Sequence, residues 1–193
     1  AESNVAIGRN ALGQVVSSNQ SIAIGFNSGY GLTTGANNTV IGAEALYNSA
    51  DIDRAVVIGK NAMYAGNATA DADGTVAIGY DAGREITTAI GCTAVGYEAL
   101  KNNSSGYSNT MIGYQAGTAL VAGSDNNTAV GKGALAAGNN DSTHNNTVIG
   151  NQAGDTITTG SGNTYIGSNA DASANDVTDE IVLKCGAGAV VGG

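Results

Sequence analysis

The chain of 193 residues has no proline, no tryptophan and one phenylalanine. Most of the large side chains from which a compact globular core is built are therefore missing. Positive charge is scarce as well: seven lysines and arginines stand against sixteen acids, for a formal net charge of −9. No basic patch forms to neutralise phosphates, which sets nucleic-acid binding aside. Apolar runs end after about four residues, where a membrane-spanning helix needs ~20, and no basic start followed by a hydrophobic stretch marks a signal peptide. No membrane insertion is expected. The one histidine, His144, lies in a polar loop after Asn139-Asn140-Asp141-Ser142-Thr143 and has no companions for catalysis or metal binding.

What the chain does have is glycine and asparagine in fixed places. A four-residue apolar run closes on glycine at Gly8, Gly25, Gly42, Gly59, Gly79, Gly96, Gly113, Gly131, Gly150 and Gly167, at intervals of 17, 17, 17, 20, 17, 17, 18, 19 and 17 residues. A period this regular means a solenoid, and fixed columns exclude disorder. The glycines are read as the structural turn of each coil.

The column just before the glycine is Ile or Val in every copy, and two residues earlier it is Val, Ile or Thr, so both are β-branched and suit a strand. Strand alternation puts these two columns on one face and Ala6, Ala23, Val40, Val57, Ala77, Ala94, Met111, Ala129 and Val148 on the other. With both faces apolar, the strand is expected to be covered on both, as in parallel sheets. The Ile/Val face is taken as the core of each roll. The uncharged Ala/Val/Met column is then left to contact other copies around a rotational axis, as a homotrimer interface.

Three residues after the glycine the chain carries Ala11, Ser28, Ala45 and seven further alanines, as a thin coil requires, and the next column alternates Leu12, Gly29, Leu46, then Met63, Gly83, Leu100, Gly117, Leu135, Gly154. Leucines leaning over the glycines of neighbouring coils predict a two-coil packing unit. Asn4, Asn38, Asn109, Asn127, Asn146 and Asn163 open the strands and predict an asparagine ladder. Tyr80, Tyr97 and Tyr114 share a column in successive coils and predict a stacked ladder, either an edge cover or a surface for sugar.

The fold class expected is all-β: a parallel β-roll solenoid of about ten 17-residue coils over residues 4–170, homotrimeric, with 171–193 a divergent C-terminal transition segment. Cys92 and Cys185 fall several coils apart, too far for a disulfide. Asp51, Asp53, Asp71 and Asp73 lie on loops without the spacing of a calcium hand, and are read as solvated carboxylates. No cofactor or metal is expected. Glu44 and Glu98 share a column three coils apart, about 14 Å along the axis, too far for a hydrolytic pair, so no catalytic residue is assigned. An ice-binding array is set aside because the threonine column shares the face assigned to the core. Binding is expected on the loops at 17–21, 33–38, 50–54, 66–74, 102–108, 122–127 and 138–146.

The repeated Thr-x-Ile-Gly-x-x-Ala unit, as in Asn109-Thr110-Met111-Ile112-Gly113-Tyr114-Gln115-Ala116-Gly117 and Asn163-Thr164-Tyr165-Ile166-Gly167, resembles the repeats of phage tail fibres upstream of endosialidase-type intramolecular chaperones. The Val-Ala-Ile-Gly units at Val5 to Gly8 and Val76 to Gly79 are similar to the β-roll heads of trimeric autotransporter adhesins. The first resemblance implies a non-enzymatic viral tail or virion fibre for structure and host attachment, extracellular. Its partners would be further copies, other virion fibre or tail proteins, and a host cell-surface glycan or protein. The second implies the head of a bacterial surface adhesin, but its typical period is shorter. The repeat is already in phase at Asn4 and no chaperone follows, so the chain is expected to come from a longer protein.

Overall fold

The computed structural model describes residues 3–65, 68–69, 72–138, 143–185 and 188–192. Ten three-residue strands recur once per coil: β1 Val5–Ile7, β2 Ile22–Ile24, β3 Thr39–Ile41, β4 Val56–Ile58, β5 Val76–Ile78, β6 Thr93–Val95, β7 Thr110–Ile112, β8 Thr128–Val130, β9 Thr147–Ile149 and β10 Thr164–Ile166. Then come β11 Ile181–Cys185 and β12 Gly188–Gly192. All twelve form one sheet in sequence order, parallel from β1 to β11, with β12 antiparallel to β11. The chain is an all-β parallel solenoid.

Register never slips. Each strand meets the next at the same column, Val5 beside Ile22, Val57 beside Ala77 and Ile112 beside Val130, even across the 18- to 20-residue intervals. Extra residues are absorbed in the loops. The stack also continues past Ala170: Ile181, Val182 and Leu183 pair with Thr164, Tyr165 and Ile166, so the segment after 170 supplies an eleventh rung before the chain reverses into β12.

The ten glycines have φ between +123° and +145°, a conformation reserved for glycine. They are also points of close approach between coils. From Gly25 onward each glycine N–H donates to a carbonyl of the preceding coil, as Gly113 does to Val95 at 2.8 Å. A Cβ on Gly42 would lie 2.6 Å from the Gly59 carbonyl oxygen. Two further positions per coil are left-handed, represented by Gln20 (φ 56°) five residues before the glycine and Glu98 (φ 52°) two residues after it. Asparagine, which tolerates that region, is frequent at both.

The Leu/Gly column is left-handed throughout, from Leu46 (φ 49°) to Gly83 (φ 55°), which explains glycine there as much as packing does. Leu12 does lean over Gly29, 3.1 Å from where a Cβ would stand. At Gly83 and Gly154 the space is filled instead from within the same coil, by Ile86 and Ile157. Each of the first nine coils thus carries one large side chain on this wall, either Leu/Met at the column itself or, where glycine stands there, Leu32, Ile86, Leu120 or Ile157 three residues on. At the Leu46 to Met63 step the alternation breaks without loss of this wall, because both coils carry the large side chain at the column itself.

The two faces of the strand are the reverse of the sequence expectation. Ala23, Val40, Val57, Ala77, Ala94, Met111, Ala129 and Val148 are fully buried inside the single roll, so they touch no other copy; only Ala6, in the first coil, is exposed. The Ile/Val and Thr/Val columns point outward: Val148 is 0 % exposed and its neighbour Ile149 40 %. The reason is bore. A 17-residue coil lined by alanine and one leucine leaves room for one small or medium strand side chain, not for two β-branched ones. Asparagine, two residues before the inner column and of the same parity, is accordingly inside too.

Two outcomes follow for denaturation experiments. Gly113→Ala should cost about 3 kcal/mol or more, since strain at φ 142° adds to a backbone clash with the next coil; a shift below about 1 kcal/mol would contradict the close approach. Val148→Asp should abolish the β-sheet circular dichroism of the chain itself, because a charge enters a dry interior. A folded, dissociated Val148→Asp protein would return that column to the outside.

Candidate interaction surfaces

The inner wall carries the most ordered polar feature. Asn109, Asn127, Asn146 and Asn163 are buried, and each Oδ1 accepts the backbone N–H of the next rung's equivalent residue: Asn127, Asn146, Asn163 and Glu180, at 2.9 to 3.1 Å. Each Nδ2 donates to a carbonyl later in its own coil, Asn146 to Gly160 at 2.9 Å and Asn127 to Thr143 at 2.8 Å. The amide thereby closes its coil and ties it to the next. In the sixth coil Cys92 takes this place, its Sγ donating to the Gly106 carbonyl at 3.2 Å. Burial pushes the thiol up from 9.0 to about 11. The cysteine is a packing residue of low reactivity.

The ladder ends on Glu180, which accepts hydrogen bonds from Tyr165 Oη at 2.8 Å and from the Ser173 N–H at 3.2 Å. Burial works against its charge, but the bonds from Tyr165 and Ser173 more than offset this and hold the carboxyl below its ordinary value. Burial, then the adjacent carboxylate, pushes the Tyr165 phenol well up. This pair fills the interior at the last rungs and is structural.

Outside, Tyr80, Tyr97 and Tyr114 stack at centroid distances of 5.4 and 5.0 Å with rings within 10° of parallel. Because each ring's face lies against the next, the faces between them are not open to a sugar. A second ladder, Tyr30, Tyr47 and Tyr64, stacks at 5.3 and 5.4 Å and is continued by Arg84 over Tyr64. Sequence reasoning missed it, although its signal, one column five residues after three successive glycines, was of the same kind. Beside the first ladder, Lys101 donates to Glu98 at 2.7 Å and lies 3.6 Å from Asp81. Lys101 and then Gln115, both hydrogen-bonded to Glu98, hold that carboxyl below its ordinary value.

The loop aspartates serve the stack. Asp53 Oδ1 accepts the Ala36 N–H at 2.6 Å, and Asp73 accepts the Asp53 N–H at 2.7 Å while pairing with Arg54 at 2.9 Å. Asp71 and residues 139–142 lie outside the described residues. The expected binding loops at 17–21, 33–38 and 50–54 are bonded in register too, Asn37 to Asn19 and Arg54 to Ala36, both at 3.0 Å. Among the described residues no group of three or more His, Cys, Asp or Glu is placed to hold a metal ion, and no helix is long and apolar enough to cross a membrane.

The largest surface feature is the outward sheet face. Its Thr/Val and Ile/Val columns contain no charged residue from β1 to β10, and Ile7, Ile22, Ile112, Ile149 and Ile166 are exposed. Eleven rungs at ~4.8 Å span ~48 Å, and with the residue after each glycine the face is ~13 Å wide, roughly 600 Å². That is the upper end of what a monomer exposes. The chain matches no protein-family description, no curated protein and no solved structure.

Two pH effects test the inner wall. Alkylation at Cys92, read by peptide mass spectrometry, should be slow at pH 8 and rise towards pH 11; the stability linked to a protonated thiol is complete below pH 9 and falls as pH rises through about 11. For Glu180 the sign is opposite: its depressed pKa contributes stability above the ordinary carboxylate range, lost as pH falls through the folded value. Glu180→Gln should flatten that acid limb of the stability curve. An unchanged limb would place the carboxylate outside the network.

Proposed function

We propose that the chain is the rod of a phage fibre, in which three copies pack their outward sheet faces around a common axis and present the coil edges to a host cell-surface glycan or protein. The observation that carries this reading is the uncharged face itself, held in strict register over eleven rungs with none of the described residues covering it. Isoleucine, valine and threonine without charge at every such position are what a face buried between copies requires. Stacked coils give stiffness, and a structural fibre needs no convergent catalytic groups. Virion localisation and attachment to other fibre or tail proteins rest on the repeat's resemblance to phage tail fibres.

Light scattering should give three chain masses for the wild type. Ile112→Asp with Ile149→Asp should dissociate the assembly while the monomer keeps its β-sheet circular dichroism, because these side chains are outside the roll. A monomeric wild type at high micromolar concentration removes the fibre reading.

One observation favours a second reading. Thr39, Thr93, Thr110, Thr128, Thr147 and Thr164 stand on the outward face, not in the core, so the burial argument against an ice-binding array does not hold. A flat Thr/Ile array serves ice only if uncovered. Thermal hysteresis from a monomeric protein, abolished by Thr128→Tyr, would select that reading over the fibre.

A further inference from the structure

The outward face has two rims. The trailing rim is the residue after each glycine; the leading rim is the residue six before it. In one coil these two positions are seven residues apart, on opposite sides of the strand. They match in chemistry in most coils, though not in the second, Phe26 against Asn19, or the fifth, Tyr80 against Asp73. The fourth coil has Lys60 trailing and Asp53 leading, and the eighth has Lys132 and Asp125. The sixth has Tyr97 and Ile90, the seventh Tyr114 and Tyr107, and the third Ala43 and Ala36.

Asp53 and Asp125 each accept a backbone N–H of the preceding coil, from Ala36 and Tyr107, but nothing among the described residues accounts for the lysines opposite them. Lys60 and Lys132 form no ion pair or hydrogen bond among the described residues, whereas Arg54, Arg84 and Lys101 are paired and Arg9 lies over the Phe26 ring. Ile90 and Tyr107 are each 51 % exposed, with Tyr97 and Tyr114 41 % and 47 % exposed on the other rim. These are solvated cations and exposed apolar groups, each matched across the strand by a group it does not touch.

Resting on the assembly reading above, we propose that copies associate in parallel, at equal height, around an axis along the stack, with the trailing rim of one against the leading rim of the next. Rotation about such an axis leaves every coil at its own height and brings unlike rims together, a heterologous contact that closes into a ring. Lys60 then meets Asp53 of the next copy, Lys132 meets Asp125, and Tyr97 and Tyr114 meet Ile90 and Tyr107. A two-fold axis perpendicular to the stack would reverse the order of coils and set like rims together, lysine rim on lysine rim. The leading rim also adds area: the sheet face with its trailing rim, at roughly 600 Å², falls short of the ~800 Å² per partner of a standard interface.

The test is carbodiimide cross-linking of wild-type protein assembled from an equal mixture of ¹⁴N- and ¹⁵N-labelled chains, with the amide-linked peptides read by mass spectrometry. Mixed-isotope Lys60–Asp53 and Lys132–Asp125 links are expected. Alongside it, Lys60→Glu with Lys132→Glu should raise the dissociation concentration at least about tenfold, and adding Asp53→Lys with Asp125→Lys should recover it. A wild type that is monomeric fails both this proposal and the fibre reading. An oligomer whose mixed-isotope links join other heights, or lack these two, or whose affinity ignores the lysine changes, overturns the equal-height arrangement alone.

Discussion

Everything in this fold depends on how closely two backbones approach at the glycine that ends each strand. The N–H of Gly113 reaches the carbonyl of Val95, and a side chain at such a position would occupy the space of the next coil's carbonyl. Because that contact recurs at every coil, the strands stay in register although loop length varies. Insertions can lengthen a turn but cannot shift a rung. The same pattern runs around the coil: Glu98 donates to Tyr80, Leu100 to Ala116 and Thr87 to Ser104. A coil therefore finds its partners in the coils before and after it, which makes stability a nearest-neighbour quantity.

The narrow interior that follows from this packing sets the chemistry of both surfaces. Inside, one strand residue and a large apolar side chain fill a typical coil, and in six coils an asparagine joins them, its amide satisfying backbone groups that a dry interior would otherwise leave unpaired. Outside, the larger β-branched columns form a flat face that none of the described residues covers. An apolar exterior is thus a consequence of a small bore.

Much of this was legible in the sequence, because columns at a fixed interval report geometry directly. The glycine turns, the strands, the asparagine ladder and the Tyr80–Tyr97–Tyr114 stack are all of that kind. Inside and outside were not legible from alternation alone, since period two separates the faces without saying which is buried. The asparagines held the answer: sharing parity with Ala94 and Val148, they put a polar column on the same side, which only a ladder inside the roll makes dry and regular. The eleventh rung was hidden because Lys184 stands where earlier coils have glycine. Nothing in the strand itself revealed the matched rims, whose members lie on different elements of a coil.

The reversal at β12 bears on how such rolls avoid one another. A stack of parallel strands exposes at its end the hydrogen-bond pattern that another identical stack would need to add to it, and growth end to end would then have no natural limit. β12 runs against that direction and pairs antiparallel along β11, from Ile181–Gly192 to Cys185–Gly188. Its outer edge therefore offers an antiparallel partner's spacing to any incoming parallel coil. At β12 the parallel run gives way to antiparallel spacing, so a coil added there meets a register unlike that of the rungs before it.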